Sequence, residues 1–384
     1  MDDKFMLMIP GPTPVPESVL LAQAKHLIGH RSGDFSQIMA EVHEGLKWLH
    51  QTQNDVLMLT ASGTGAMEAG IINVLSAGDR VLVGSNGKFG DRWAKVCKAF
   101  GLQVEVIEAE WGKPLNPDEF KAALEADTDK SIKAVVVTHS ETSTGVLNDL
   151  QTIAAHTKAH GEALILVDAV TSLGACSVPV DEWGLDMVAS GSQKGYMVPP
   201  GMSFVTMSDR AWAAYEKSNL PKFYFDLGPY KKNSAKNTTP FTPPVSLFFA
   251  LQVALKMMQE EGLENIFARH ARLKQATREA MKALNLPLFA ADEVASPAVT
   301  SVMPQSVEAE QIRSVMKKEY DIALAGGQDH LKGKIFRVGH LGFVGDRDIL
   351  TAIAALEATL AKLGGNGFTP GAGLMAAQSV LSSK

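Results

Sequence analysis

The chain has 384 residues, 46% of them apolar, which suits about two domains at the usual 100–200 residues each. A net charge of -6, with no block of like charge, argues against nucleic acid as a partner, because phosphates call for basic surface. Two cysteines, Cys97 and Cys176, with no CxxC pair, speak against a zinc ribbon, a redox dithiol or a disulfide framework, and suit a reducing, cytoplasmic compartment.

The chain starts MDDKFMLMIPGPTPVP, acidic and soon broken by prolines, so it does not read as a secretory signal. Proline rigidity makes residues 1–16 an extended arm. From residue 17 helical and strand patterns alternate. DVLMLT (55–60) is followed by a Gly-containing turn that opens a helix, and RVLVGS (80–85) by the helix DRWAKVCKAFG (91–101). QVEVIEA (103–109), a helix near 117–126, KAVVVTHS (133–140), a helix near 149–160 and ALILVDAV (163–170) come next. DMVASGS (186–192) and MSFVTMS (202–208) continue the strands. Continuously apolar strands alternating with helices predict an α/β fold with a mostly parallel sheet covered on both faces.

After the Pro-rich TTPFTPPVS (238–246), a helical region over 246–284 breaks near Gly262. Short strands (AVTSVMP, KIFRVGH) then flank a helix near 307–319, and a last helix covers 346–363. This predicts a large domain over 17–262 and a smaller α+β domain over 263–363. Composition makes 364–384 a flexible tail. No run approaches the roughly 20 apolar residues that span a bilayer, so no membrane is expected as a partner.

Ligands of parallel sheets bind beyond the carboxyl ends of the strands. There ALILVD ends on Asp168, and SGSQK sets Gln193 and Lys194 after the next apolar strand. A carboxylate and a lysine at neighbouring strand ends are what pyridoxal phosphate (PLP) needs. The lysine forms the Schiff base, and the carboxylate keeps the pyridine nitrogen protonated. Taken singly, Asp168 reads equally as a turn residue, and Lys194 reads better as a solvated lysine.

The turn holding Ser62, Gly63 and Thr64 opens a helix and would offer backbone N–H groups to a phosphate. It lacks the GK[ST] of a P-loop, and Glu68 stands where the dinucleotide fingerprint has glycine. Phe89 follows a strand and could stack on a ring, although taken alone it reads better as a core aromatic. Arg337 lies in an apolar strand and needs an anion, either a substrate carboxylate or an internal acid. His30, His139 and His340 have no metal-ligand spacing, so no metal site is expected.

Nine segments in one order resemble the class V aminotransferases of PLP fold type I, in the alanine–glyoxylate and serine–glyoxylate (serine–pyruvate) group. They are IPGPTPVPESVL (9–20), HRSGDF (30–35), TASGTGAMEAG (60–70), NGKFGDRW (86–93), HSETSTGVL (139–147), LVDAVTSLG (166–174), SGSQKGYMVPPG (190–201), TPFTPPVSL (239–247) and FRVGHLG (336–342). The resemblance implies a seven-stranded large-domain sheet and pyridoxal 5'-phosphate as cofactor. It implies Lys194 as Schiff base and general base, and Asp168 at the pyridine nitrogen. Ser62, Gly63, Thr64 and Gln193 would lie at the phosphate. Phe89 would take the stacking position, where relatives often carry Trp, and Thr142 would lie near the ring hydroxyl or substrate. Arg337 would hold the α-carboxylate, and Gly11 with Pro12 would line the substrate pocket. It further implies a homodimer in which Thr242, and with it Thr239, serves a neighbouring subunit's phosphate site. A Tyr found there in some relatives is absent.

The function expected is transfer of an amino group from alanine or serine to glyoxylate or pyruvate by a ping-pong route. One readable carboxylate-binding arginine, without a second basic partner, points to these small neutral donors. A cysteine desulfurase or related lyase needs a nucleophilic cysteine after the lysine, and both cysteines precede Lys194. An NAD-dependent dehydrogenase lacks its glycine fingerprint, and a non-catalytic assembly partner leaves Lys194, Asp168 and Arg337 unused.

Overall fold

A computed structural model describes residues 5–365 and 367–383. The arm enters as β1 (Met6–Met8), followed by α1 (Glu17–Ala22) and α2 (Gly33–His50). The large unit then alternates β2 (Val56–Leu59), α3 (Gly63–Val74), β3 (Arg80–Ser85), α4 (Lys88–Ala99), β4 (Gln103–Glu108), α5 (Pro117–Ala126) and β5 (Ile132–Thr138). A small hairpin, β6 (Ser140–Glu141) and β7 (Val146–Leu147), precedes α6 (Leu150–His160), β8 (Leu164–Asp168), β9 (Met187–Gly191) and β10 (Ser203–Met207). Helices α7 (Asp209–Tyr215), α8 (Leu227–Ser234) and α9 (Val245–Glu261) follow.

The large sheet has seven strands in the order β2-β10-β9-β8-β5-β3-β4. Only β10 runs antiparallel to its neighbours. Alternation along each strand divides the core between the two faces. Val135, Val137, Ile165 and Val167 join the cluster under α2, α6 and α9, while Ala134, Val136, Leu164 and Leu166 join the one under α3 and α4. Burial of each Val, Leu or Ile side chain contributes about 1.5–3 kcal/mol, so the sheet is a rigid platform for the loops at its ends.

The smaller unit contains α10 (Leu263–Ala283), β11 (Val299–Val302), α11 (Ala309–Tyr320), β12 (Ile322–Gly326), β13 (Phe336–Gly339), α12 (Asp346–Lys362) and α13 (Ala372–Ser382). Its sheet, in the order β1-β12-β13-β11, takes its first strand from the arm, since Met6–Met8 pair parallel with Ile322–Leu324. The expected extended arm is therefore part of a sheet. The long helical region breaks at Gly262, whose φ of 84° suits glycine.

The tail departs from its compositional reading. Residues Ala372–Ser382 form a helix against α10, with Ala377 and Leu381 buried. Glu357 on α12 accepts hydrogen bonds from the N–H groups of Gly371 (2.7 Å) and Leu374 (2.8 Å), so a carboxylate caps the new helix. Gly373 meets Leu284, where a Cβ would come within 2.8 Å. The glycines that suggested flexibility serve a helix start and a close contact. Residues 1–4 of the arm and 366 and 384 of the tail lie outside the described residues.

Candidate active site

Five loops leave the sheet on the side where the parallel strands end. They carry Ser62–Thr64 after β2, Phe89 after β3, Thr142 after β5, Asp168 at the end of β8, and Gln193–Lys194 after β9. Lys194 is not solvated. It is 9% exposed, and its Nζ donates to the Pro10 carbonyl at 2.5 Å. Burial, then the nearby Arg337, push its amine down to about 8, against the pull of Asp168. Asp168 is buried on the end of its strand and accepts from the Val170 N–H at 2.9 Å. Burial pushes its carboxyl up to about 6, against the Val170 bond and the charges of Arg92 and Lys194.

The arm closes this centre from above. Thr13 donates its backbone N–H to the Gln193 carbonyl (3.2 Å) and its hydroxyl to the Lys194 carbonyl (3.1 Å). Gly11, at φ 144°, lies so close that a Cβ there would stand 2.5 Å from Lys194 Nζ. A side chain at this position would push the end of Lys194 out of its present place.

At the start of α3 the Ser62 side chain makes no capping bond, although it stands at the N-cap. The first N–H groups of α3 are thus open to an anion, with the helix dipole behind them. Gln193 turns toward the same spot: a Cβ on Gly191 would stand 3.0 Å from Gln193 Oε1 and 3.7 Å from the Gly63 nitrogen. Gln193 Oε1 is buried with no hydrogen-bond partner. A buried polar atom without a partner beside open helix N–H groups fits the phosphate end of PLP, and Asp168 beside Lys194 fits its ring and aldehyde ends. Ser62 itself is exposed, so its backbone rather than its hydroxyl belongs to this turn.

Arg337 on β13 faces the same centre from the smaller unit. Its Nε donates to the Gly326 carbonyl (2.9 Å) and its Nη1 to the Thr142 carbonyl (2.8 Å). Among the described residues no acid pairs with it directly. Burial pushes it down to about 10, with Glu141 opposing, so it keeps its charge at neutral pH. Arg337, Lys194, Gly11, Phe89 and Thr142 line one cavity of about 370 Å³. Thr142 also shares a hydroxyl hydrogen bond with Thr171 (2.7 Å).

Several contributors were not foreseen. Glu141 is fully buried and accepts from the N–H groups of Phe89 (3.0 Å), Gly90 (3.1 Å) and Ser143 (3.0 Å). It caps α4 and fixes Phe89 in place. Arg92, one turn beyond Phe89, lies over that ring at 4.7 Å and donates to Thr64 Oγ1 at 3.2 Å. It thus ties Phe89 to the turn that opens α3. Arg313, Lys317 and Gln328 also line the Lys194 cavity, and Arg313 is paired there with Glu310 (2.5 Å). Helical spacing from Phe89 could have found Arg92; Arg313 and Lys317 look like an ordinary charged helix face.

Thr242 is not brought to this centre. It is exposed and lines a separate small pocket with Thr239, whose hydroxyl donates to the Phe241 carbonyl (2.7 Å). His340 and His139 are buried packing groups, the first bonded to Thr300 (2.9 Å) and the second edge-on to Trp183. Among the described residues no group of three or more His, Cys, Asp or Glu could hold a metal ion.

The chain matches the family model described as aminotransferase class V over residues 7–339. It is 73% identical to a Synechococcus sp. (strain PCC 6716) protein named soluble hydrogenase, small subunit, with all of both chains covered. It is 39% identical to the L-aspartate–glyoxylate aminotransferase of Paracoccus denitrificans (95% of this chain, 93% of the relative). It is 38% identical to the serine–glyoxylate aminotransferase of Methylorubrum extorquens (98% and 95%). Among solved structures it resembles the alanine–glyoxylate aminotransferase of Nostoc sp., with a TM-score of 0.88 at 33% identity over 93% of this chain and 95% of that one.

Proposed function

The chain belongs to the PLP-dependent class V aminotransferases, and from that premise we propose that it moves an amino group from alanine or serine to glyoxylate or pyruvate. The observation that carries the proposal is the convergence of Lys194 and Arg337 on one cavity between the two units, with the Asp168 carboxylate near enough to act on the Lys194 amine. The relatives named for serine and for alanine with glyoxylate support the choice of substrates.

In this reading PLP, when bound, supplies an electron-withdrawing ring that makes the α-proton of the bound amino acid acidic. Asp168 holds a proton at the pyridine nitrogen. The N–H groups at Gly63 and Thr64, with Gln193, hold the phosphate, and Phe89 lies against the ring. Arg337 grips the α-carboxylate with the N–H groups it does not spend on Gly326 and Thr142. Lys194 Nζ anchors the cofactor, and once free it carries the proton from the α-carbon. Its pKa near 8 keeps a usable fraction of neutral amine close to neutral pH. The arm at Pro10 and Gly11 closes the pocket against water.

Thr242, exposed and away from its own chain's cavity, suits a role at the phosphate of a second copy, whereas Thr239 is buried with its hydroxyl on the Phe241 carbonyl; a homodimer is part of the proposal. A cytoplasmic setting is the remaining part; among the described residues no helix is long and apolar enough to cross a membrane.

The test is steady-state kinetics of the PLP-loaded protein with L-alanine or L-serine and with glyoxylate or pyruvate. Parallel double-reciprocal lines and oxoacid formed in step with the consumed donor are expected. Absence of amino transfer with every pairing refutes the substrates proposed.

A further inference from the structure

Arg92 stands beside the cofactor site without a counter-ion. It lies on α4, is partly buried, and pairs with no acid among the described residues. The neighbouring carboxylate of Asp91 takes the Ser85 hydroxyl instead (2.6 Å). A guanidinium has five N–H donors. One of them, on Nη1, goes to Thr64 Oγ1 (3.2 Å), and the central carbon of the group lies 4.7 Å from the Phe89 ring. The other donors have no hydrogen-bond partner among the described residues. The charge is felt by both Asp168 and Lys194, and it lowers the pKa of each.

Thr64 gives this cation a direction. It is the second residue of α3, where the first N–H groups are open and the N-cap side chain makes no bond. A hydroxyl has one O–H donor and two lone pairs. Arg92 occupies a lone pair, and the Thr64 proton has no acceptor among the described residues. The hydroxyl is therefore free to donate at the helix start, with a positive charge behind it. The helix start itself offers only about half a unit of positive charge. A phosphate monoester carries about 1.5–2 negative charges at neutral pH. Residues 61–65 of the turn have no charged side chain, and Lys194 is taken up at the aldehyde end.

We propose that Arg92, acting through Thr64, supplies the positive charge of the phosphate end and makes the site select PLP over pyridoxal, the same ring without its phosphate. Thr64 touches the phosphate, and Arg92 is a positioning residue that orients and charges that contact. Its place over Phe89 is the competing use. A role confined to the ring would serve both forms of the cofactor alike. This rests on the PLP reading and adds to it the residue that discriminates the phosphate.

The experiment is a spectral titration of the full chain, freed of cofactor, with PLP and with pyridoxal. Arg92→Gln keeps a donor for Thr64 and removes the charge. It should weaken PLP binding by about tenfold or more and leave pyridoxal within about threefold. Arg92→Lys restores the charge and should bring PLP back to within about threefold of the wild type. Thr64→Val should show the same PLP-specific loss, and adding Arg92→Gln to it should lower the affinity little further, because both act on one contact. Equal losses for PLP and pyridoxal, no loss for either, or a lysine variant that holds PLP no better than the glutamine variant overturn the proposal and leave the PLP reading standing. If Arg92→Gln does not fold, Thr64→Val decides in the same way. If the wild type takes up neither aldehyde, the PLP reading fails instead, and calorimetry with inorganic phosphate decides the site. Phosphate binding that weakens about tenfold in Arg92→Gln supports it; absent or equal binding overturns it.

Discussion

Replacing Arg337 by lysine keeps a positive charge in the cavity and removes the planar fork. Arginine has five N–H donors. Here one goes to the Gly326 carbonyl and one to the Thr142 carbonyl, which leaves three for a substrate. A carboxylate gripped side-on takes two of these. Lysine offers three donors on one nitrogen and cannot hold both carbonyls and a two-point carboxylate together. Hydrogen bonds to charged groups contribute about 1.5–3 kcal/mol each, so losing one or two of them costs about 2.7 kcal/mol, or about a hundredfold in kcat/KM. Every donor and acceptor shares the α-carboxylate, so Arg337→Lys should lower kcat/KM for amino acids and oxoacids alike, mostly through KM. PLP content should match the wild type, because Arg337 lies at the substrate end. Steady-state kinetics paired with PLP quantitation provide the assay. A KM within about threefold of wild type for both substrates refutes the assignment of Arg337; so does a loss of activity that merely follows lost PLP.

Other outcomes follow from the same geometry. Gly11→Ala should weaken covalent PLP capture, because its Cβ would stand 2.5 Å from Lys194 Nζ and the backbone there, at φ 144°, resists a side chain by about 1–3 kcal/mol; spectral titration with PLP checks this, and unchanged capture contradicts it. PLP capture by the apo-protein should quicken as pH rises and level off above about 8, since only the neutral Lys194 amine attacks an aldehyde, and stopped-flow mixing across pH reads this directly. PLP affinity should fall as pH drops through about 6, where Asp168 takes up a proton and loses its hold on the ring nitrogen. Burial pushes His50, His270 and His340 down to about 3, so the unfolded chain, with histidines near 6.5, binds more protons between these limits. Stability is therefore lost as pH falls below about 6.5, by about 1.4 kcal/mol per pH unit for each of the three, and urea unfolding at stepped pH measures it.

Much of this fold was legible because its central strands are buried on both faces. Runs such as VVV at 135–137 read as strands buried on both faces, and their carboxyl ends marked where to look. Asp168 closes such a run and Lys194 follows one by three residues, and the two stood out as a pair. Arm and tail were less legible because their structure depends on distant partners. Met6–Met8 become a strand only against Ile322–Leu324, and the tail helix starts where Glu357 caps it. Glu141 was hidden in a short hairpin, where nothing local distinguishes a buried helix cap from a loop acid. Arg313 and Lys317 were hidden for the opposite reason. On α11 they resemble Lys318 and Glu319 beside them, and only the course of β12 and β13 sets their side of the helix against the cavity.

The central claim is that Lys194 anchors PLP and moves the α-proton. The direct measurement is the absorbance spectrum of the purified PLP-loaded protein before and after adding L-alanine, compared with Lys194→Ala. The wild type should show a near-ultraviolet to violet band beyond the aromatic side chains, which shifts with the donor and returns with glyoxylate. The variant should retain its fold, lack the lysine-bound band and show no turnover. A variant that keeps near-normal turnover, or a wild type that neither contains PLP nor takes it up, would contradict the account.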